Sequence, residues 1–194
     1  MRIRLKAKWH RQEREVSLED TVSVLAFNAW KIGMQTLLEI ENQNFQTDTQ
    51  MQRMAVLEEI TAFLVHVLDR HAHELMDEPD RAQFLTTYAL KLADQVQDNS
   101  RDFAGPGDYR TPFINRLNRR LEDYAETRWD STRQEPGFSM SRVFGNAVAE
   151  SLGPRDRQWV LDYIQRVLMP EMLEPYGKIL TRLGFRRSPE SLKS

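Results

Sequence analysis

The side chains able to do chemistry are densest on one stretch: Glu58, Glu59, His66, Asp69, Arg70, His71, His73 and Glu74. At about 100° per residue on a helix, Glu59, His66 and His73 fall in one line. Neighbours in that line are separated by about 10.5 Å of rise. This is too far for His66 and His73 to share one metal ion. Asp69 with His73, or His71 with Glu74, stand one turn apart and could each offer two ligands to a divalent metal. A ferritin-like pair of metals needs Glu-x-x-His on two helices. Neither that spacing nor His-Glu-x-x-His occurs in the chain, so those two helical metal chemistries are excluded.

His71 falls among Leu64, Val67 and Leu75, on what reads as the apolar face. Its simplest role is a core histidine hydrogen-bonded to a neighbouring helix. The sharper alternative is a metal or small-ligand site in a bundle cavity, formed by His66, His71 and Glu74, with or without catalysis. His66 and His73 flank the apolar face and are expected in solvent. Nucleophilic and phosphate-cradling motifs are missing: there is no Gly-x-Ser-x-Gly, no Walker A loop and no Gly-x-Gly-x-x-Gly. Gly105-Pro106-Gly107 reads as a turn. No cofactor follows from the sequence beyond that divalent metal.

Two basic features remain. Arg2, Arg4, Lys6 and Lys8 alternate with Ile3, Leu5 and Ala7 before Trp9, a pattern suited to anionic lipid or a nucleic-acid backbone. Arg110, Arg116, Arg119, Arg120 and Arg128 line the outer face of a later helix. There Glu122, Asp123 and Glu126 supply partners one turn away, so a salt-bridged solvent face is expected. The net charge of −2 and pI near 6.1 disfavour nucleic acid or a membrane surface as the main partner.

The elements that must position these residues read as helices. Ser17 caps a run from Leu18 to about Asn44, with Asp20 closing an approximate capping box. One apolar stripe there holds Leu18, Val22, Leu25, Ala26, Ala29, Gly33, Leu37 and Ile40. A second holds Val24, Phe27, Met34, Leu38 and Phe45, with Trp30 between. So broad an apolar arc suits either the central helix of a bundle or one shared with a second subunit. Ala26, Ala29 and Gly33 would let a neighbouring helix approach closely.

Asp48 or Thr49 caps a second helix to about Met76. Its core face reads Val56, Leu57, Ile60, Leu64, Val67, Leu68, His71 and Leu75. Glu78-Pro79 opens a third, and Asp98 to Asp108 is the longest loop signal. Thr111-Pro112 opens a fourth helix, ended by Glu135-Pro136-Gly137. A fifth runs from Ser139 to Leu152 and stops at Gly153-Pro154. The last runs from Arg155 to about Leu183, with Pro170 and Pro175 expected to kink or split it. No strand pair is expected. Trp30 and Trp159 are expected to pack, whereas Trp9 and Trp129 lie among charges as contact residues.

The chain of 194 residues has no cysteine, which removes disulfides and thiolate sites. No stretch reaches the roughly 18 apolar residues of a membrane span, and the basic start leads into no apolar signal region. A cytoplasmic location is therefore expected. The fold expected is all-α: a single irregular bundle of six or seven helices over 17–187, with a weak internal boundary near 98–108. It is flanked by a basic, extended arm at 1–16 and a tail at 188–194. The function expected is a non-enzymatic interaction or regulatory protein that forms a homodimer or binds another protein. Phe27, Met34, Leu38 and Trp9 would form its contact surface. The alternatives are the ligand-binding bundle around the histidines and a regulator docking through Arg2, Arg4, Lys6, Lys8, Arg116, Arg119 and Arg120.

Overall fold

The structure, a computed structural model, describes residues 17–45, 47–152 and 157–186, without the side chains of 157 and 158. The arm with Arg2, Arg4, Lys6, Lys8 and Trp9, the Gly153-Pro154 stop and the tail at 188–194 lie outside these residues. The described residues are helical almost throughout, as the periodicity predicts.

Helix α1 spans Leu18–Asn42, and the Ser17 hydroxyl accepts the Asp20 N–H at 3.0 Å. Helix α2 spans Gln50–His73, with Thr49 accepting from the Gln52 N–H. Helix α3 spans Glu78–Ala104; Asp77 caps it and Pro79 sits in its first turn, where a missing N–H costs nothing. The polar stretch from Asp98 to Ala104, expected as loop, is the end of this helix. Gly105 at φ 83° stops it, in backbone that only glycine adopts without cost.

Helix α4 spans Arg110–Ala125. Its first amides are satisfied from α3. The Gln97 carbonyl oxygen accepts from the N–H groups of Tyr109 and Arg110, and its amide donates to the Gly107 carbonyl. After α4 comes a two-stranded ladder, contrary to the expectation of none. Strand β1 (Trp129–Asp130) pairs antiparallel with β2 (Glu135–Pro136). Two pairs are too few to print an alternating pattern in sequence. Helix α5 spans Phe138–Leu152.

Gly137, directly after the ladder, has a packing role. A Cβ there would lie 2.7 Å from the Arg128 carbonyl oxygen, a backbone atom that cannot rotate away. Gly137→Ala is expected to destabilise the protein by about 1–3 kcal/mol. Urea unfolding measures this, and a loss under about 0.5 kcal/mol would show that the ladder shifts freely.

The final run is not split: it stays helical from 157 to 182, and the disturbance expected at Pro170 takes the form of a wider turn just before it. Helix α6 (Arg157–Tyr163) widens into a π-helical turn at Ile164–Leu168, and α7 follows at Met169–Arg182. Pro170 brings no N–H, and the Met169 N–H reaches back five residues to the Ile164 carbonyl. Pro175 stays inside α7.

One cluster of buried side chains draws on α1 to α7 and on both sides of the 98–108 segment. Its axis is α2, buried without interruption from Glu59 to Leu68. The central helix is thus α2 rather than α1. Helix α1 covers one side of it, and a Cβ on Gly33 would meet Leu57 Cδ1 at 2.7 Å, the close approach its small residues predict. Leu75 is exposed, because α2 has ended before it, and Trp159 is 75% exposed. Both were expected inside.

Candidate functional site

The structure separates the three residues proposed as ligands. Along α2, His66 and His71 are five residues apart, about 140° around the helix, and they face different neighbours. His66 is 3% exposed and lines a cleft of about 390 Å³ between α2, α3 and α4. Burial, and secondarily the Arg70 charge, push its imidazole down to a pKa of about 4. It is therefore neutral at pH 7. Its ring stacks on Tyr124 with centroids 5.1 Å apart, and its Nε2 has no hydrogen-bond partner among the described residues. The expectation that His66 is solvated is overturned, because α4 lays Tyr124 against that side of α2.

His71 is buried as expected. It meets Trp129 edge-on at 5.2 Å, and burial followed by the Arg186 charge holds its pKa at about 4. It lines a different cleft, of about 460 Å³, between α2, the hairpin and α7. Trp129 is thereby half-buried rather than a free contact residue. Beneath that cleft Tyr176 donates to the Leu64 carbonyl at 3.1 Å, which leaves Tyr88 as donor to Tyr176 at 3.2 Å. Glu74 is exposed, within 3.5 Å of the Gln134 amide, and His73 is exposed. Among the described residues no group of three or more His, Asp or Glu is placed to hold a metal.

The arginine face of α4 is not a solvent face. Glu59 is 1% exposed and receives three guanidinium contacts. Arg120 gives two, at 2.7 and 3.0 Å, and Arg116 gives one at 3.2 Å. Arg116 also meets Glu58 at 3.0 Å, and Arg120 meets Asp123 at 2.9 Å. Burial nevertheless outweighs Arg116 and raises the Glu58 carboxyl to about 7, with Glu59 adding to the rise. Arg110 pairs with Asp94 on α3. Of the expected face, Arg119 and Arg128 are exposed. The Glu59, His66 and His73 line was the available signal: an acid in line with a buried ring faces the same neighbour.

On α1, Val24, Phe27 and Leu38 are 46, 62 and 42% exposed, and Met34 is half-buried against the core. Lys31 lies between them and is exposed. No described helix is long and apolar enough to cross a membrane. The protein is thus an all-α bundle with an apolar outer stripe and a polar cleft. Comparison with protein-family models, curated proteins and solved structures yields no match.

Proposed function

We propose that the protein is a helical interaction module that pairs with a second copy of itself through the exposed stripe of α1. The observation carrying this is the exposure of Val24, Phe27 and Leu38 on a helix whose opposite face is fully packed. Contiguous apolar exposure is costly in a lone molecule and is favoured where a partner covers it. With the half-buried Met34 included, the spacings along the stripe are three, seven and four, those of a coiled-coil seam. Lys31 interrupts that seam with a charge, but its stem can lie along a partner while the ammonium reaches water.

The stripe rises about 21 Å from Val24 to Leu38. One helix face of that length is narrower than the roughly 800 Å² per partner of a standard interface. Association is therefore expected to be reversible and micromolar. Sedimentation velocity tests it. Wild-type protein should show a concentration-dependent dimer at about 100 μM, well above a micromolar dissociation constant, and Phe27→Glu should be monomeric with unchanged helicity. The substitution touches no core contact, so its stability should move by no more than about 0.5 kcal/mol. A monomeric wild type at that concentration would remove the reading.

A further inference from the structure

We propose that the cleft between α2, α3 and α4 binds a small organic anion, a carboxylate or phosphate on a compact apolar body, through Arg70 and His66. Arg70 is half-buried at the cleft, and its Nε is buried without a hydrogen-bond partner. No acid pairs with it among the described residues. The other cation of the cleft, Arg81, is taken by Asp69 within it and by Glu78 at 2.7 Å outside it. Two guanidinium groups against one lining carboxylate leave a single positive charge, and that charge is Arg70.

Arg70 stands in the last turn of α2, where a cation also complements the helix dipole. That accounts for the charge but not for a guanidinium nitrogen withheld from both water and protein, which is costly unless a partner arrives. Two further unsatisfied atoms, Arg81 Nε and His66 Nε2, belong to residues lining the same cleft. His66 Nε2 is buried and bare, on a ring fixed by stacking against Tyr124. His66 lies one helical turn before Arg70 on the same face. A planar fork and a neutral imidazole side by side suit one oxyanion, which accepts from both. Leu85 and Ala89 on α3 and Leu117 and Leu121 on α4 give the cleft an apolar side, beside the polar His73, Thr86 and Asn118. A volume of about 390 Å³ lies at the small end of ligand pockets.

A metal ion does not suit this cleft, since Asp69 is already held by Arg81 and Arg70 repels cations. None of these residues lies on α1, so the outcome does not bear on self-association.

The test is an NMR titration of the full chain with benzoate, phenyl phosphate and benzyl alcohol at about 10 mM, enough to saturate a site of millimolar affinity. Benzoate, phenyl phosphate or both should shift the His66 imidazole and Arg70 Nε–H signals saturably, and the stronger of the two identifies the head group. Benzyl alcohol should not. Arg70→Gln should weaken anion binding by about tenfold. Asn118→Asp, on the exposed rim of the same cleft, should weaken it in the same direction without touching the core. The proposal is overturned if neither anion shifts these signals, if benzyl alcohol binds as tightly as benzoate, or if neither substitution weakens binding.

Discussion

Between pH 6.5 and 4.5 the protein should lose about 3 kcal/mol of unfolding free energy, and its stability maximum should lie near pH 6.5. Three buried groups set that slope. His66 and His71 titrate near 6.5 in the unfolded chain but near 4 in the fold, because burial disfavours their charged forms and Arg70 and Arg186 add to it. Below pH 6.5 the unfolded chain takes up two protons that the native state refuses. Each costs about 1.4 kcal/mol per pH unit, so this stability is present above 6.5 and is lost as pH falls. Glu58 runs the other way. Burial lifts it from 4.5 to about 7, so within the window the native state holds a proton that the unfolded chain has released. The difference, one proton over two pH units, gives the stated loss. Urea unfolding as a function of pH measures it. Removing both histidines, by His66→Gln with His71→Gln, should reverse the slope, and Glu58→Gln should roughly double it. A histidine-free variant that kept the wild-type acid slope would show that other groups carry it.

The ends of the helices were legible in sequence because capping is local. Ser17, Thr49 and the proline in the first turn of α3 act within three residues of the backbone they satisfy. The depth of each helix was not. Helix α1 reads as the more apolar and α2 carries Glu58, Glu59, Thr61 and His66, yet α2 is the buried axis and α1 keeps an exposed stripe. Amphipathicity states how much of a helix prefers to be dry. It does not state how many neighbours arrive. The partners that let α2 bury an acid come from more than fifty residues downstream, as Arg116 and Arg120 do for Glu59. No window of sequence contains both.

The same distinction governs the polar stretch from Asp98 to Ala104. Its composition reads as loop, but Ser100 is buried there and Gln97 ties the end of α3 to the start of α4. Tertiary fixing overrode weak propensity. Of the candidate site, the residue types near His66 were visible and their grouping was not. His66 and His71 look adjacent along the chain and serve opposite sides of one helix. Arg70, surrounded in sequence by Asp69 and Glu74, gives no hint that both acids are turned elsewhere, Asp69 to Arg81 and Glu74 toward Gln134.

Arg120→Met should cost about 3–5 kcal/mol, far more than the 0–1 kcal/mol of an exposed ion pair. The Arg120 and Glu59 side chains are 19% and 2% exposed, so the pair is made in a region where an unpaired carboxylate cannot recover its hydration. Removing Arg120 takes two of the three hydrogen bonds that Glu59 accepts. What remains is the Arg116 contact at 3.2 Å, from a guanidinium already shared with Glu58. The Tyr124 hydroxyl has no hydrogen-bond partner among the described residues, and burial first, then the Glu59 charge, keep its proton on. Much of the cost is therefore the stranded charge rather than the lost attraction. Glu59→Met with Arg120→Met removes both charges together, and Arg116 keeps Glu58. The double variant should thus be more stable than Arg120→Met alone, with a coupling of about 2 kcal/mol or more in a double-mutant cycle. Chemical denaturation of the four proteins decides it. If Arg120→Met cost less than about 1 kcal/mol, α4 would be held by its apolar contacts through Phe113, Leu117 and Tyr124, with the buried charges adding little. If the cycle shows the coupling, the acid at the centre of α2 is what demands an arginine-bearing helix beside it, and the packing of α4 follows from that demand.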